Sequence, residues 1–182
     1  MLIFLAMLAN SVFAYERLQG PTELLYCDTN KAFQGYTLFG VGNRTFLLDL
    51  QGHVVHTWPI GTNPHLLDNG HIVDASKDDP SGFAGFKEVD WDGKTVWEYT
   101  EKRADYAPHH DWVRIFNKKL NAPTTLYIAN KTITYDQAVA AGADPKKASQ
   151  EGGQMDAIVE VDMAGNVIWE WCFFDHVVQD LD

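Results

Sequence analysis

Apolar and polar residues alternate in short runs along most of this 182-residue chain, and turn-forming residues separate the runs. Alternation with a period of two predicts half-buried β-strands. Three segments share one pattern: LLDLQGHVVHTW, EVDWDGKTVWEY and EVDMAGNVIWEW. In each of them an aspartate precedes a glycine by three residues, and a β-branched and aromatic strand follows. The pattern predicts a repeated β-hairpin, because the aspartate can accept hydrogen bonds from backbone amides and the glycine can adopt a positive φ.

Further turn signals and short strands follow the hairpins. Asp68-Asn69-Gly70 marks a second tight turn, and residues 124–130 form another β-rich run. Each repeat is therefore expected to hold about four short strands, the content of one β-propeller blade. The predicted fold class is all-β, a β-propeller in which residues 36–182 supply about two and a half to three blades.

The second and third repeats are separated by a longer stretch than the first and second, which indicates an insertion at residues 130–153. Thr134 and Gln137 have the spacing of a capping box, and Gly142 is placed to end a helix. A short helical insertion is therefore predicted there. It either covers the mouth of a site or decorates the surface.

The chain begins with an apolar run at residues 2–13, followed by Ala14. Such a run is typical of a signal peptide, and it is too short for a membrane span of about 20 residues. We expect a signal peptide at 1–14, an extension at 15–35, and a periplasmic or secreted protein. Only Cys27 and Cys172 are present, which leaves open one disulfide or two free thiols.

The composition restricts the partners. The hydrophobic content of 46% is sufficient for a sizeable core, and the net charge of −11 argues against nucleic-acid binding, which requires a basic face. A small anionic substrate remains compatible with this charge, because distant surface charges are screened within about 10 Å.

Histidines recur after the repeated hairpins. In a propeller, the chain passes from the outer strand of one blade to the inner strand of the next, near the central channel. His65, then His109 with His110, and then His176 follow the aromatic-ended strand of successive repeats. We therefore expect these imidazoles to face one common site, with His109 and His110 beside Asp111 as the strongest candidates for nucleophilic or acid–base work.

Other histidines are expected to be structural or exposed, namely His53, His56 and His71. No metal site is predicted, because the chain has no HExxH or paired CxxC motif and adjacent histidines on a regular strand point to opposite faces. A quinoprotein-like propeller is a weaker alternative, since the aspartate-to-glycine spacing of the hairpin is shorter than is typical of that family.

Three segments carry a family resemblance: PHHDWVRIFN at 108–117, IANKTITYDQAVAAGADP at 128–145 and EVDMAGNVIWEWCFFDHVVQDLD at 160–182. Together they resemble the bacterial arylsulfate sulfotransferases, from about residue 35 to the end of the chain. The resemblance implies a six-bladed propeller in the periplasm that transfers a sulfuryl group from a phenolic sulfate ester to another phenol. It implies no cofactor and no nucleotide sulfate donor, and it implies a transiently sulfated histidine.

By motif match, His109 and His110 occupy the place of an active-site histidine pair. The residues expected to bind substrate are His65, Asp111, Arg114 and His176, although a surface salt bridge is the alternative role for Arg114. The resemblance places the sulfated histidine in a later blade, beyond residue 182, so the chain is expected to be an amino-terminal fragment that is inactive alone. A homodimer is compatible with the sequence. The rival function is a non-catalytic exported propeller that acts as a binding or assembly scaffold.

Overall fold

A computed structural model describes residues 26–76 and 84–177 of the chain. The expected signal peptide at 1–14, most of the extension at 15–35 and the last five residues lie outside this part. Within it the chain forms eleven strands and one α-helix. In order they are β1 (Thr37–Val41), β2 (Arg44–Leu48), β3 (Val54–Trp58), β4 (His65–Leu66), β5 (Ile72–Ser76), β6 (Gly85–Val89), β7 (Thr95–Thr100), β8 (Tyr106–Asn117), β9 (Ala122–Ile133), α1 (Tyr135–Ala140), β10 (Gly153–Asp162) and β11 (Val167–Cys172).

The strands form three antiparallel sheets that follow one another along the chain. The first sheet contains β1 to β3, the second β4 to β7 and the third β8 to β11, and each strand pairs with its neighbours in sequence. The all-β prediction is confirmed. Sheets two and three have the predicted four strands, whereas three are described for the first.

The repeated hairpin closes each sheet with the same geometry. The aspartates are Asp49, Asp90 and Asp162, and the glycines are Gly52, Gly93 and Gly165. Every one of these glycines has a φ of 82° or 83°, and each donates its amide to the carbonyl of the aspartate three residues earlier. A register shift just before each aspartate marks a β-bulge at the same place in all three sheets. The prediction of a repeated hairpin is therefore confirmed.

The core lies between the sheets. Ile72 and Val73 are adjacent in β5 and completely buried, and they pack on opposite faces of the second sheet. Ile72 joins a cluster with Trp58 of the first sheet, while Val73 joins a larger cluster with Tyr127 of the third. The second sheet is thus covered on both faces by its neighbours.

A side chain of β3 and one of β7 also contact the hairpin turn of the following sheet. His56 Nε2 lies 2.7 Å from the carbonyl oxygen of Trp91, so Nε2 carries the proton, because a carbonyl only accepts. One sheet further on, Trp97 Nε1 donates to the carbonyl oxygen of Met163 at 3.0 Å. Both donors lie seven residues after the aspartate of their repeat, so this inter-sheet hydrogen bond recurs at equivalent positions.

The predicted helical insertion contains a single short helix. The Thr134 side chain accepts from the Gln137 amide, and the Gln137 side chain accepts from the Thr134 amide, which is the predicted capping box. The chain leaves the helix at Gly142, whose φ is 103°. Residues 130–133 and residue 153 belong to the flanking strands β9 and β10, so the non-strand part is shorter than the predicted insertion at 130–153.

Candidate functional site

The histidine pair lies in an irregular part of β8. Pro108 pairs with Ala129 of β9, and Trp112 pairs with Tyr127. Three residues of β8 therefore lie opposite a single residue of β9. A bulge of this kind interrupts the ladder and redirects side chains, which is a frequent feature of binding sites.

His110 is the residue at which the backbone of the bulge turns. Its φ is +56°, in the left-handed region, and the only other described non-glycine residue with positive φ is Asn121. This conformation costs a residue with a Cβ about 1–2 kcal/mol, so the surrounding strands must hold it in place.

The bulge brings the two imidazoles together. Their ring centroids are 5.0 Å apart, and the planes are nearly perpendicular at 83°. The expectation that His109 and His110 point to opposite faces is wrong, because it assumed a regular strand.

His109 lies beside a carboxylate that the sequence analysis did not identify. Its Nε2 is 3.2 Å from Asp156 Oδ1 on β10. The angle of approach is not that of a hydrogen bond, so Nε2 has no hydrogen-bond partner among the described residues. His109 Nε2 is thus a buried nitrogen with a carboxylate oxygen nearby and no hydrogen bond of its own among the described residues. No motif signals Asp156; only the pairing of β8, β9 and β10 brings it to the histidine.

Asp111 has a different partner. Its carboxylate accepts the backbone amide of Trp112 at 2.8 Å, and the residue is exposed. It therefore stabilises the end of the bulge. Asp156, rather than Asp111, is the carboxylate that contacts an imidazole of the pair.

His65 lies next to the same strand, although it belongs to the second sheet. Its ring stacks on Trp112 with a centroid distance of 4.1 Å. Trp112 follows Asp111, so the structure brings His65 to the end of the bulge. The expectation that His65 and the pair His109–His110 face one common site stays a prediction.

The loop before His65 is held by a buried carboxylate, Asp74, which the sequence analysis also missed. Asp74 accepts the backbone amides of Thr62, Asn63 and Ala75 at 2.6 to 2.7 Å. Burial raises the pKa of Asp74, and the three hydrogen bonds oppose that increase. Asp74 therefore fixes the crossing from the first sheet to the second.

His176 and Arg114 have partners of their own. The His176 ring stacks on Trp171 at 4.8 Å, in a 3₁₀ turn after β11. Arg114 makes a 2.8 Å ion pair with Glu88 of the second sheet, and both side chains are 8% exposed. Burial lowers the pKa of Arg114 while Glu88 opposes this. The ion pair is thus interior, and the guanidinium already has a carboxylate partner.

The three remaining histidines have structural contacts. His53 Nδ1 lies 3.1 Å from Asp49, His56 contacts the Trp91 carbonyl, and His71 Nδ1 lies 2.8 Å from Glu88. These are local or inter-sheet hydrogen bonds, as expected for structural histidines.

A second polar cluster, which the sequence analysis did not predict, joins the second and third sheets. Arg103 donates to Glu101 at 2.7 and 3.0 Å and to Glu170 at 2.5 Å, and its guanidinium lies 3.6 Å from the centre of the Tyr106 ring. The Tyr127 hydroxyl donates to Glu101 at 2.6 Å.

The charges of this cluster are strongly coupled. Burial by itself raises the pKa of Glu101, but hydrogen bonds from Arg103 and Tyr127 outweigh it and bring the pKa to about 2. Burial raises the pKa of Tyr127, and the neighbouring Glu101 raises it further. The cluster is a partly buried ion-pair network that connects the second sheet to the third, with Glu101 as its most buried member.

Several classes of feature are absent from the described part of the chain. It contains no group of three or more histidine, cysteine, aspartate or glutamate residues placed to hold a metal ion. It also contains no helix with the length and apolar character needed to cross a membrane. Cys27 and Cys172 are both free, and Cys172 is buried. The structure therefore favours the free-thiol alternative.

The chain matches none of the family models, and none of the curated proteins is similar to it in sequence.

Proposed function

We propose that the three sheets are consecutive blades of a β-propeller. The support is that they follow one another in chain order, pack face to face and end in the same bulge and hairpin. In this arrangement β4 and β8 are inner strands that line the channel. His65 and the pair His109–His110 belong to those two strands.

We further propose that the site acts on a sulfuryl group, transferring it from a phenolic sulfate ester to another phenol. The observation that supports this is the imidazole pair, with its rings 5.0 Å apart on a backbone held at the left-handed φ of His110. Unfavourable backbone conformations that the fold maintains are concentrated at functional sites. The family resemblance of the HHD segment supplies the reaction class.

The reaction proceeds in two balanced steps. A histidine nitrogen attacks sulfur, the bond between sulfur and the ester oxygen breaks, and the phenolate leaves and takes up a proton. The hydroxyl oxygen of the second phenol then attacks sulfur, the nitrogen–sulfur bond breaks, and the phenol proton passes to a base. The nucleotide-free transfer requires no cofactor.

The side chains of this chain divide the other tasks. We assign the exchange of the phenol proton to His109, whose Nε2 lies 3.2 Å from Asp156 Oδ1. His110, whose side chain is exposed, donates to the sulfuryl oxygens. The resemblance assigns the attacking nitrogen to a histidine in a later blade. His65 is placed to orient Trp112, whereas Arg114 and His176 have no part in these steps.

The decisive experiment is binding of 4-nitrophenyl sulfate to the full chain with ¹⁵N-labelled histidine, followed in imidazole NMR spectra. We expect the signals of His109 and His110 to move, and those of His53 in the first hairpin to remain. 4-Nitrophenol, which has the same ring without the sulfuryl group, is the matched ligand and should not move them. His110→Ala should abolish the response.

Two results contradict the proposal. The first is an unchanged imidazole spectrum, and the second is an equal response to 4-nitrophenol. We expect no release of 4-nitrophenolate by this chain in the presence of phenol, because the attacking nitrogen is assigned to a later blade. The binding response is therefore the measurement that tests the histidine pair.

The rival proposal, a non-catalytic scaffold propeller, predicts no selective response to the sulfuryl group. Under either function we expect an exported protein, on the basis of the signal peptide predicted at 1–14.

A further inference from the structure

The third sheet has an outer face, turned away from the second sheet, that is largely apolar. Tyr127 and Val159 are buried on the face toward the second sheet, and their neighbours along the strands point to the opposite, outer face. The outer face consists of Leu126, Ile128, Ile158, Trp169 and Trp171. Open grooves of about 570 and 460 Å³ lie on this face. Trp169 is 46% exposed. An exposed apolar surface of this kind is typical of an interaction site.

Equivalent positions of the other two sheets are covered. Trp58 and Tyr99 occupy the place of Trp171, nine residues after the repeat aspartate, and they are 0% and 6% exposed. Phe86 occupies the place of Ile158 and is completely buried under the third sheet. The outer face of the third sheet therefore has the shape and chemistry of a surface that another sheet covers.

The recurring inter-sheet hydrogen bond indicates which acceptor the covering sheet should carry. His56 and Trp97 each donate to the carbonyl of the first residue after the next repeat's aspartate, Trp91 and Met163. Trp169 is the third member of the donor series, and its indole is exposed. The matching acceptor is the carbonyl of a residue that directly follows a repeat aspartate.

The first sheet of this same chain carries the complementary surface. Its outer face, turned away from the second sheet, contains Phe39, Val41, Phe46 and Leu48. Phe39 and Phe46 stack at 5.6 Å, and Phe39 and Val41 are 38% and 59% exposed. By the register of the repeats these positions correspond to Tyr127, Ala129, Val159 and Val161, which pack the third sheet against the second.

The position of the turn also matches. Leu50 follows Asp49 and so holds the place of Trp91 and Met163 in the acceptor series. A single partner, a second copy of the chain, thus offers a complement to both uncovered faces.

We propose that the outer face of the third sheet binds the outer face of the first sheet of a second copy, with Trp169 Nε1 donating to the Leu50 carbonyl. The contact joins unlike surfaces, so two copies close into a ring when three sheets account for half a turn. The proposal does not rest on sulfuryl transfer, because the association is measured without substrate, and it takes the second copy, in place of a later blade of the same chain, as the partner of the third sheet.

The test is the mass of the full 182-residue chain in solution, measured by light scattering during size-exclusion chromatography across a dilution series. We expect twice the monomer mass. Trp169→Glu and Val41→Glu place a charge on one face each, and both should yield the monomer with an unchanged circular dichroism spectrum. Phe33→Glu is the matched control, because Phe33 is 89% exposed and lies on neither face.

Mixing the two monomeric variants tests the head-to-tail arrangement. Each variant retains the face that the other lacks, so one intact contact forms and part of the dimer mass returns. Trp169→His keeps a ring N–H, as in His56, whereas Trp169→Phe removes it and should raise the dissociation constant about 3- to 10-fold relative to Trp169→His.

Two outcomes overturn the proposal. One is a monomeric wild-type chain, which leaves the outer faces to a different partner. The other is a dimer whose mass neither glutamate substitution changes, since that dimer forms through another surface. If the wild-type chain forms assemblies larger than a dimer, and Trp169→Glu and Val41→Glu each abolish them, the proposed contact is supported but the two copies do not close into a ring.

Discussion

At the scale of the residue, His110 shows how an unfavourable backbone is maintained by its surroundings. Its φ of +56° is supported by strand pairing on either side of the bulge, at Pro108 and at Trp112. A glycine would adopt this conformation at little cost, so the histidine is present in spite of the backbone.

This leads to a paired prediction for stability. His110→Gly should be more stable to urea than His110→Ala by about 1 kcal/mol, because alanine retains the Cβ that disfavours the left-handed region. Both variants lack the imidazole, so the difference between them reports on the backbone alone. Equal stability, or a more stable alanine variant, contradicts the described φ.

The residue scale also marks where sequence reasoning reached its limit. The HHD segment was identifiable as a candidate site, but the spatial relation of its rings was not, because alternation assumes a regular strand. The contact of His109 with Asp156 was equally hidden, since it depends on the register of three strands.

At the scale of the element, the repeated hairpin was predicted from local sequence and is found in all three sheets. An aspartate that accepts nearby amides and a glycine at positive φ specify the turn without tertiary contacts. What differs between repeats is the neighbour of each turn. A Cβ at Gly93 would lie 3.0 Å from Pro59 Cδ, whereas one at Gly165 would lie 3.6 Å from the Tyr99 ring.

Gly93→Ala is therefore expected to destabilise the chain more than Gly165→Ala. Both glycines have nearly the same φ, 82° and 83°, so the strain of positive φ, about 1–2 kcal/mol, is common to both. The additional destabilisation of Gly93→Ala relative to Gly165→Ala measures the free energy needed to displace Pro59. Urea unfolding of the two variants gives the comparison, and a larger loss for Gly165→Ala would show that Pro59 moves without cost.

At the scale of the whole molecule, the polar network of Glu101, Arg103 and Glu170 connects the second sheet to the third. The Glu101 side chain is 3% exposed, so its interactions are little screened by solvent. Its pKa, lowered to about 2, means that the folded chain favours the ionised carboxylate more than the unfolded chain does.

A dependence of stability on pH follows. A carboxyl with a lowered folded pKa stabilises the fold above its unfolded pKa, and this contribution is lost as the pH falls to the folded value. We expect the wild-type free energy of unfolding to decrease by about 3 kcal/mol through Glu101 between roughly pH 4.5 and 2. Glu101→Gln should remove most of that dependence, measured by urea unfolding at each pH.

Glu98→Gln is the control for this measurement, because Glu98 lies on the exposed side of β7, 3.9 Å from Lys87. The unfolding free energy of Glu98→Gln should depend on pH in the same way as that of the wild type. If Glu101→Gln shows the same dependence as well, the network does not act through this carboxylate.

The sequence by itself determined the strand class, the three hairpins, the capped helix and the recurrence of histidines after each outer strand. These depend on residues close together in the chain, where alternation, turn chemistry and capping act directly. Tertiary structure alone decided the bulge at His110, the approach of Asp156 to His109 and the interior pairing of Arg114 with Glu88. Those features arise when strands from distant parts of the chain are packed in one register, and burial then selects which charges find partners.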